Sequence, residues 1–81
     1  MQLTSNEELE LRYMQALGYK WIARDMNCEV FAHKEKPYMS VIDWVNDSDY
    51  ECMPLGRYEF LKWEDNPIEI YKILKENGKD V

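Results

Sequence analysis

Apolar residues recur every three or four positions near both ends of the chain, and between those ends they fall into short runs of strand formers. That pattern predicts a helix, several strands and a second helix. At the first helix, Thr4 or Ser5 supplies an N-cap and Glu7 or Glu8 completes a capping box three residues on. Gly18 supplies the left-handed stop, so the expected helix covers roughly 6–17. Leu9, Tyr13, Ala16 and Leu17 share one face of it, which is expected to lie on the core. Leu11 and Met14 fall on the other side among Glu7, Glu10 and Gln15. An apolar pair exposed within an acidic face is a candidate partner-binding surface. The alternative is a helix buried over a wide arc beneath a neighbouring loop.

Residues 19–24 and 29–34 read as strands joined by a polar hairpin turn at 25–28. Residues 38–45 read as a third strand, 46–56 as a turn-rich loop and 57–63 as a fourth strand-like run. Asn66 as cap, Pro67 at the first helical position and Glu69 three residues after the cap then announce the second helix. Its apolar stripe is Ile70, Ile73 and Leu74, and Gly78 ends it. Short connections favour antiparallel pairing. The expected fold class is α+β: a small antiparallel sheet of three to four strands flanked by an N-terminal and a C-terminal helix, in the order α-β-β-β-(β)-α.

Length and charge narrow the function. The 81 residues are expected to form one domain, 1–81. A chain this short buries roughly 60% of its unfolded surface, which leaves little interior for an enclosed catalytic cavity. Three Trp, six Tyr and two Phe are more rings than one small core readily hides, so some should reach the surface. The formal charge of −6 repels phosphates and argues against direct binding of nucleic acid. No apolar run is long enough to span a membrane. The first residues lack the basic start and apolar run of a signal peptide. A cytoplasmic location follows as the expectation, with Cys28 and Cys52 as free thiols.

Three segments carry a resemblance: Gly18-Tyr19-Lys20-Trp21-Ile22-Ala23-Arg24-Asp25, Val30-Phe31-Ala32-His33-Lys34-Glu35-Lys36-Pro37 and Phe60-Leu61-Lys62-Trp63-Glu64-Asp65. Together they resemble short proteins encoded by phages and prophages of Gram-positive bacteria, which share an ARD, turn, strand, KP and KWED pattern across about residues 18–66. The resemblance implies an accessory phage gene product in the bacterial host cell, and it carries over no catalytic residues. The chain departs from the pattern at Cys28, where those proteins have glycine after Asp or Asn. The expectation is that Asn27 adopts the left-handed conformation or that the hairpin is longer.

Candidate chemistry is sparse. His33 is the only histidine and has no local partner for acid–base or metal work. Cys28 and Cys52 are too far apart for a CxxC motif. Asp47-Ser48-Asp49-Tyr50-Glu51 begins like a calcium loop, but Cys52 stands where glycine is needed and Tyr58 where the bidentate glutamate belongs. Three glycines in the whole chain make no phosphate cradle. No metal, cofactor or catalytic residue is therefore expected, and the chain reads as a non-enzyme. Asp43, Asp47, Asp49 and Glu51 form an acidic run suited to docking on a basic partner; with Tyr50, Leu11 and Met14 they are the candidate partner-binding residues. The expected function is a protein-binding module that modulates a host or defence factor. A DNA mimic, with Glu7, Glu8 and Glu10 joining the acidic run, is the alternative. An enzyme with a site shared across a dimer is the third reading.

Overall fold

Thr4 begins the first helix by accepting the N–H of Glu7 on its hydroxyl, while the Glu7 carboxylate accepts the N–H of Thr4. This reciprocal capping box starts α1, Ser5–Ala16. The coordinates are those of a computed structural model and describe residues 3–54 and 56–77. The chain continues through β1 (Trp21–Arg24), β2 (Val30–His33), β3 (Tyr38–Met39), β4 (Trp44–Val45), β5 (Tyr50–Cys52), β6 (Ile68–Glu69) and α2 (Ile70–Asn77). Four strands form one antiparallel sheet in the order β5-β2-β1-β6, and β3 and β4 form a separate antiparallel pair. The architecture is α+β, with the two helices near the ends of the chain flanking the small sheet.

Register sorts the side chains into two faces. Ile22 opposes Ala32 and Ile68, and Arg24 opposes Val30, so these residues share one face. Leu11, Met14, Ile70, Ile73 and Leu74 from the helices join Ile22, Val30 and Ala32 in the apolar core, together with Leu3, Tyr19, Met53, Tyr58 and Leu61. Full burial of each large aliphatic side chain contributes about 1.5–3 kcal/mol. The opposite face carries Trp21, Ala23, Phe31, His33, Tyr50 and Cys52.

Helix α1 presents the face opposite to the expected one. Leu11 is fully buried and Met14 is 5% exposed, whereas Leu9, Tyr13 and Leu17 lie in the open. The inward row is Glu7, Leu11 and Met14, at positions i, i+4 and i+7. The larger apolar stripe loses because two glutamates on the inward side are structural: Glu7 serves the capping box, and Glu10 accepts the hydroxyl of buried Tyr58 at 2.6 Å and pairs with Arg57.

Other departures have local causes. Residues 38–45 fold back on themselves as β3 and β4, closed by a bond from Ser40 N–H to Asp43 C=O at 2.7 Å. The expected loop at 46–56 contains β5, which closes one edge of the sheet. Residues 57–63 are not a strand: Tyr58 has a left-handed φ of 59°, Leu61 N–H turns back to Tyr58 C=O, and Asp65 exchanges two hydrogen bonds with Lys62. Ile68 and Glu69 pair with β1 before the helix begins, so α2 starts at Ile70, whose N–H reaches Lys20 C=O at 2.8 Å. The expected stop at Gly78 lies outside the described residues.

Candidate functional site

Asp25 opens the β1–β2 turn and does two jobs there. Its N–H and C=O bond to Glu29 C=O and Cys28 N–H, which closes a tight loop over residues 26–28. The third loop residue, Cys28, is itself left-handed, with φ 76°, so the conformation sits on Cys28 and not on Asn27. A three-residue loop of this kind ordinarily takes glycine at that place. The side chain of Asp25 points to β4, where Oδ1 accepts the N–H of Trp44 at 3.0 Å. Met26 N–H adds a bond to Ile42 C=O.

The β3–β4 hairpin is thereby held against the sheet face that lacks helices. A second tie lies at Asn46. Its Oδ1 accepts the N–H of Ser48, which fixes the amide so that Nδ2 donates to His33 Nδ1 at 2.5 Å. His33 is 1% exposed, and burial pushes its pKa down to about 4. It is therefore neutral, with the proton on Nε2, and Nε2 has no partner among the described residues. Trp44 stacks edge-on against Trp63 at 6.4 Å, and its indole N–H is likewise sealed and unpartnered.

A groove of about 330 Å³ runs between this hairpin and the β2–β5 edge. Its walls are Asp25, Phe31, Asp43, Trp44, Asn46 and Tyr50, with Val45. Phe31 and Tyr50 meet edge-to-face at 5.7 Å. Burial raises the Asp25 carboxyl above its usual range against the bond from Trp44, and the nearby charges of Asp43 and Glu29 push the same way. Neither Asp25 nor Asp43 belongs to an ion pair among the described residues.

The expected partner-binding residues divide. Asp43 and Tyr50 meet on the groove. Asp49 is exposed but pairs with Lys34 at 3.6 Å, and Asp47 is exposed. Glu51 opposes Ala32, so it leaves on the helix-bearing face, away from Tyr50. Leu11 and Met14 are core residues, not surface. Asp25, Phe31 and Asn46 carry no functional signal in the sequence; Asp25 is legible there only as a turn residue. Cys28 and Cys52 are free and exposed. Burial, followed by the Glu29 carboxylate, raises the thiol of Cys52. Among the described residues, no group of three or more His, Cys, Asp or Glu side chains is placed to hold a metal ion, and no helix is long and apolar enough to cross a membrane.

The segments behind the phage resemblance touch one another in space. Arg24 donates to the carbonyls of Leu61, Cys28, Arg57 and Tyr58 at 2.5–2.9 Å, and the Asp25–Trp44–Trp63 chain joins the ARD and KWED segments. Compared with known proteins, the chain matches no family model, no curated protein and no solved structure.

Proposed function

We propose that the protein is a binding module that docks on a basic protein surface, in the manner of a small phage-type accessory protein modulating a host or defence factor. The observation that supports this reading most is the composition of the segment from Tyr38 to Tyr50. Tyr38, Met39, Val41, Ile42 and Tyr50 are exposed there, interspersed with Asp43, Asp47 and Asp49. Exposed rings and aliphatic groups supply contact area, and the acids supply orientation and attraction. The DNA-mimic reading draws less support. Glu7 and Glu10 are tied to Tyr58, and Glu8 to Arg12 and Asn77, so the first helix has little free carboxylate to offer.

The test is a pull-down from bacterial host lysate with the wild type and a Tyr38→Ser/Ile42→Ser variant, both exposed positions. A stoichiometric protein retained by the wild type, lost by the variant and released by salt is the expected result. Retention of no such protein, or equal retention by the variant, overturns the reading.

A further inference from the structure

We propose that the groove between the β3–β4 hairpin and the β2–β5 edge receives a cationic side chain, lysine or arginine, presented by the partner. This rests on the binding-module reading and names the chemistry that the module recognises. Three rings of Phe31, Trp44 and Tyr50 and two carboxylates of Asp25 and Asp43 line the groove, and no lysine or arginine does. Aromatic faces attract cations through their quadrupoles, and the attraction grows where water is excluded. The neighbouring bases are engaged elsewhere: Lys34 pairs with Asp49 and lies over the Tyr19 ring, and Lys36 lies over the Trp21 ring.

Charge complementarity selects the occupant. Asp25 is only 8% exposed, and among the described residues its side chain accepts one hydrogen bond, from Trp44 N–H, on Oδ1. Oδ2 retains its acceptor capacity, and Asp43 adds a second negative charge nearby. A buried carboxylate without a countercharge is costly. A guanidinium or ammonium offers the missing charge and donors together, and its alkyl stem suits the ring-lined wall. The volume of about 330 Å³ lies at the small end of ligand pockets, which fits one side chain better than a whole cofactor.

The experiment titrates the ¹⁵N-labelled protein with three short blocked peptides that carry a central arginine, lysine or citrulline, and reads the Trp44 indole and the Phe31 and Tyr50 amides by NMR. The proposal expects saturable shifts at these groups with the arginine or lysine peptide, in the millimolar range, and none with citrulline. Asp43→Asn, at a partly exposed position, should weaken binding roughly fivefold while leaving the thermal midpoint unchanged; Tyr50→Ser should weaken it as much, with the midpoint lowered by loss of the edge-to-face contact with Phe31. Equal shifts with citrulline, or none with any peptide, overturn it. Shifts that follow protein concentration alone would make the occupant a second copy and overturn it. So would tetramethylammonium acting as well as the peptides, because the site would then suit a free small cation. A partner captured from lysate and bound undiminished by both groove variants would sink this proposal and leave the binding module standing.

Discussion

The carboxylate of Glu7 accepts the backbone N–H of Tyr58 at 2.6 Å on one oxygen and that of Thr4 on the other. One buried side chain thus caps the first helix and pins a residue 51 positions away in a left-handed conformation. Glu7→Gln keeps one acceptor and turns an amide donor toward the second N–H, leaving that group unpaired. The expected loss is about 2–3 kcal/mol, read as a lower urea midpoint. Burial acts to raise the Glu7 pKa, but the bonds from Thr4 and Tyr58 outweigh it and the net shift is downward. The stability this contributes is complete above the usual carboxylate value of 4.5 and drains away as pH falls through the lowered value. The Glu7→Gln variant should therefore show a shallower acid limb than the wild type.

Cys28 occupies a left-handed position, with φ 76°, that costs a side-chain-bearing residue about 1–2 kcal/mol. Its side chain is exposed, so little packing is lost with it. Cys28→Gly should gain roughly 0.5–1 kcal/mol after the greater freedom of glycine in the unfolded chain is counted, a rise of several degrees in the thermal midpoint. Cys28→Ala retains the Cβ and should show no such gain.

His33 gives stability a slope at milder acidity, between neutrality and the range where Glu7 acts. Its pKa falls from 6.5 to about 4 on folding, so the unfolded chain takes up a proton first as pH drops. Stability must then decrease with falling pH across that interval, by roughly 2 kcal/mol between about pH 7.5 and pH 5. Asp25 acts with the opposite sign, because its raised carboxyl is stabilised by protonation, and offsets part of the loss at the acid end. Urea titrations at several pH values should show the slope in the wild type and a flatter line in His33→Gln.

Arg24 ties residues 57–61 to β1 through side-chain hydrogen bonds. Its guanidinium gathers the carbonyls of Arg57, Tyr58 and Leu61, in a segment without regular structure, and holds it beside β1. Lysine has the charge without the planar fork. Arg24→Lys should cost roughly 2 kcal/mol and expose the 57–62 segment to trypsin, visible as faster nicking after Arg57 and Lys62 in limited proteolysis.

The fold class was legible because its signals are local. The Thr4–Glu7 capping box, the Ile70, Ile73 and Leu74 stripe and the hairpin residues at 25–28 each reflect chemistry within a few positions. The orientation of α1 was not, because it depends on what Glu7 and Glu10 meet about 50 residues later. The segment after Gly56 misled for the same reason: strand-forming residues there are overruled by the left-handed Tyr58 and the grip of Arg24. The candidate site was half visible. Asp43 and Tyr50 stand in an acidic run that the eye finds, whereas Asp25, Phe31 and Trp44 reach the groove only through the register of β2 and the docking of β4.

No backbone ladder joins the β3–β4 pair to the larger sheet; the described ties are the Met26–Ile42 bond, the Asp25–Trp44 and Asn46–His33 contacts and the Trp44–Trp63 stack. Lifting the hairpin breaks those few links and leaves the helix-side core dry. Local opening at the groove is thus separated in free energy from global unfolding. Amide hydrogens of 38–45 should exchange well before those of β1 and β2, and a seated partner should slow exchange there while leaving the central strands as they were.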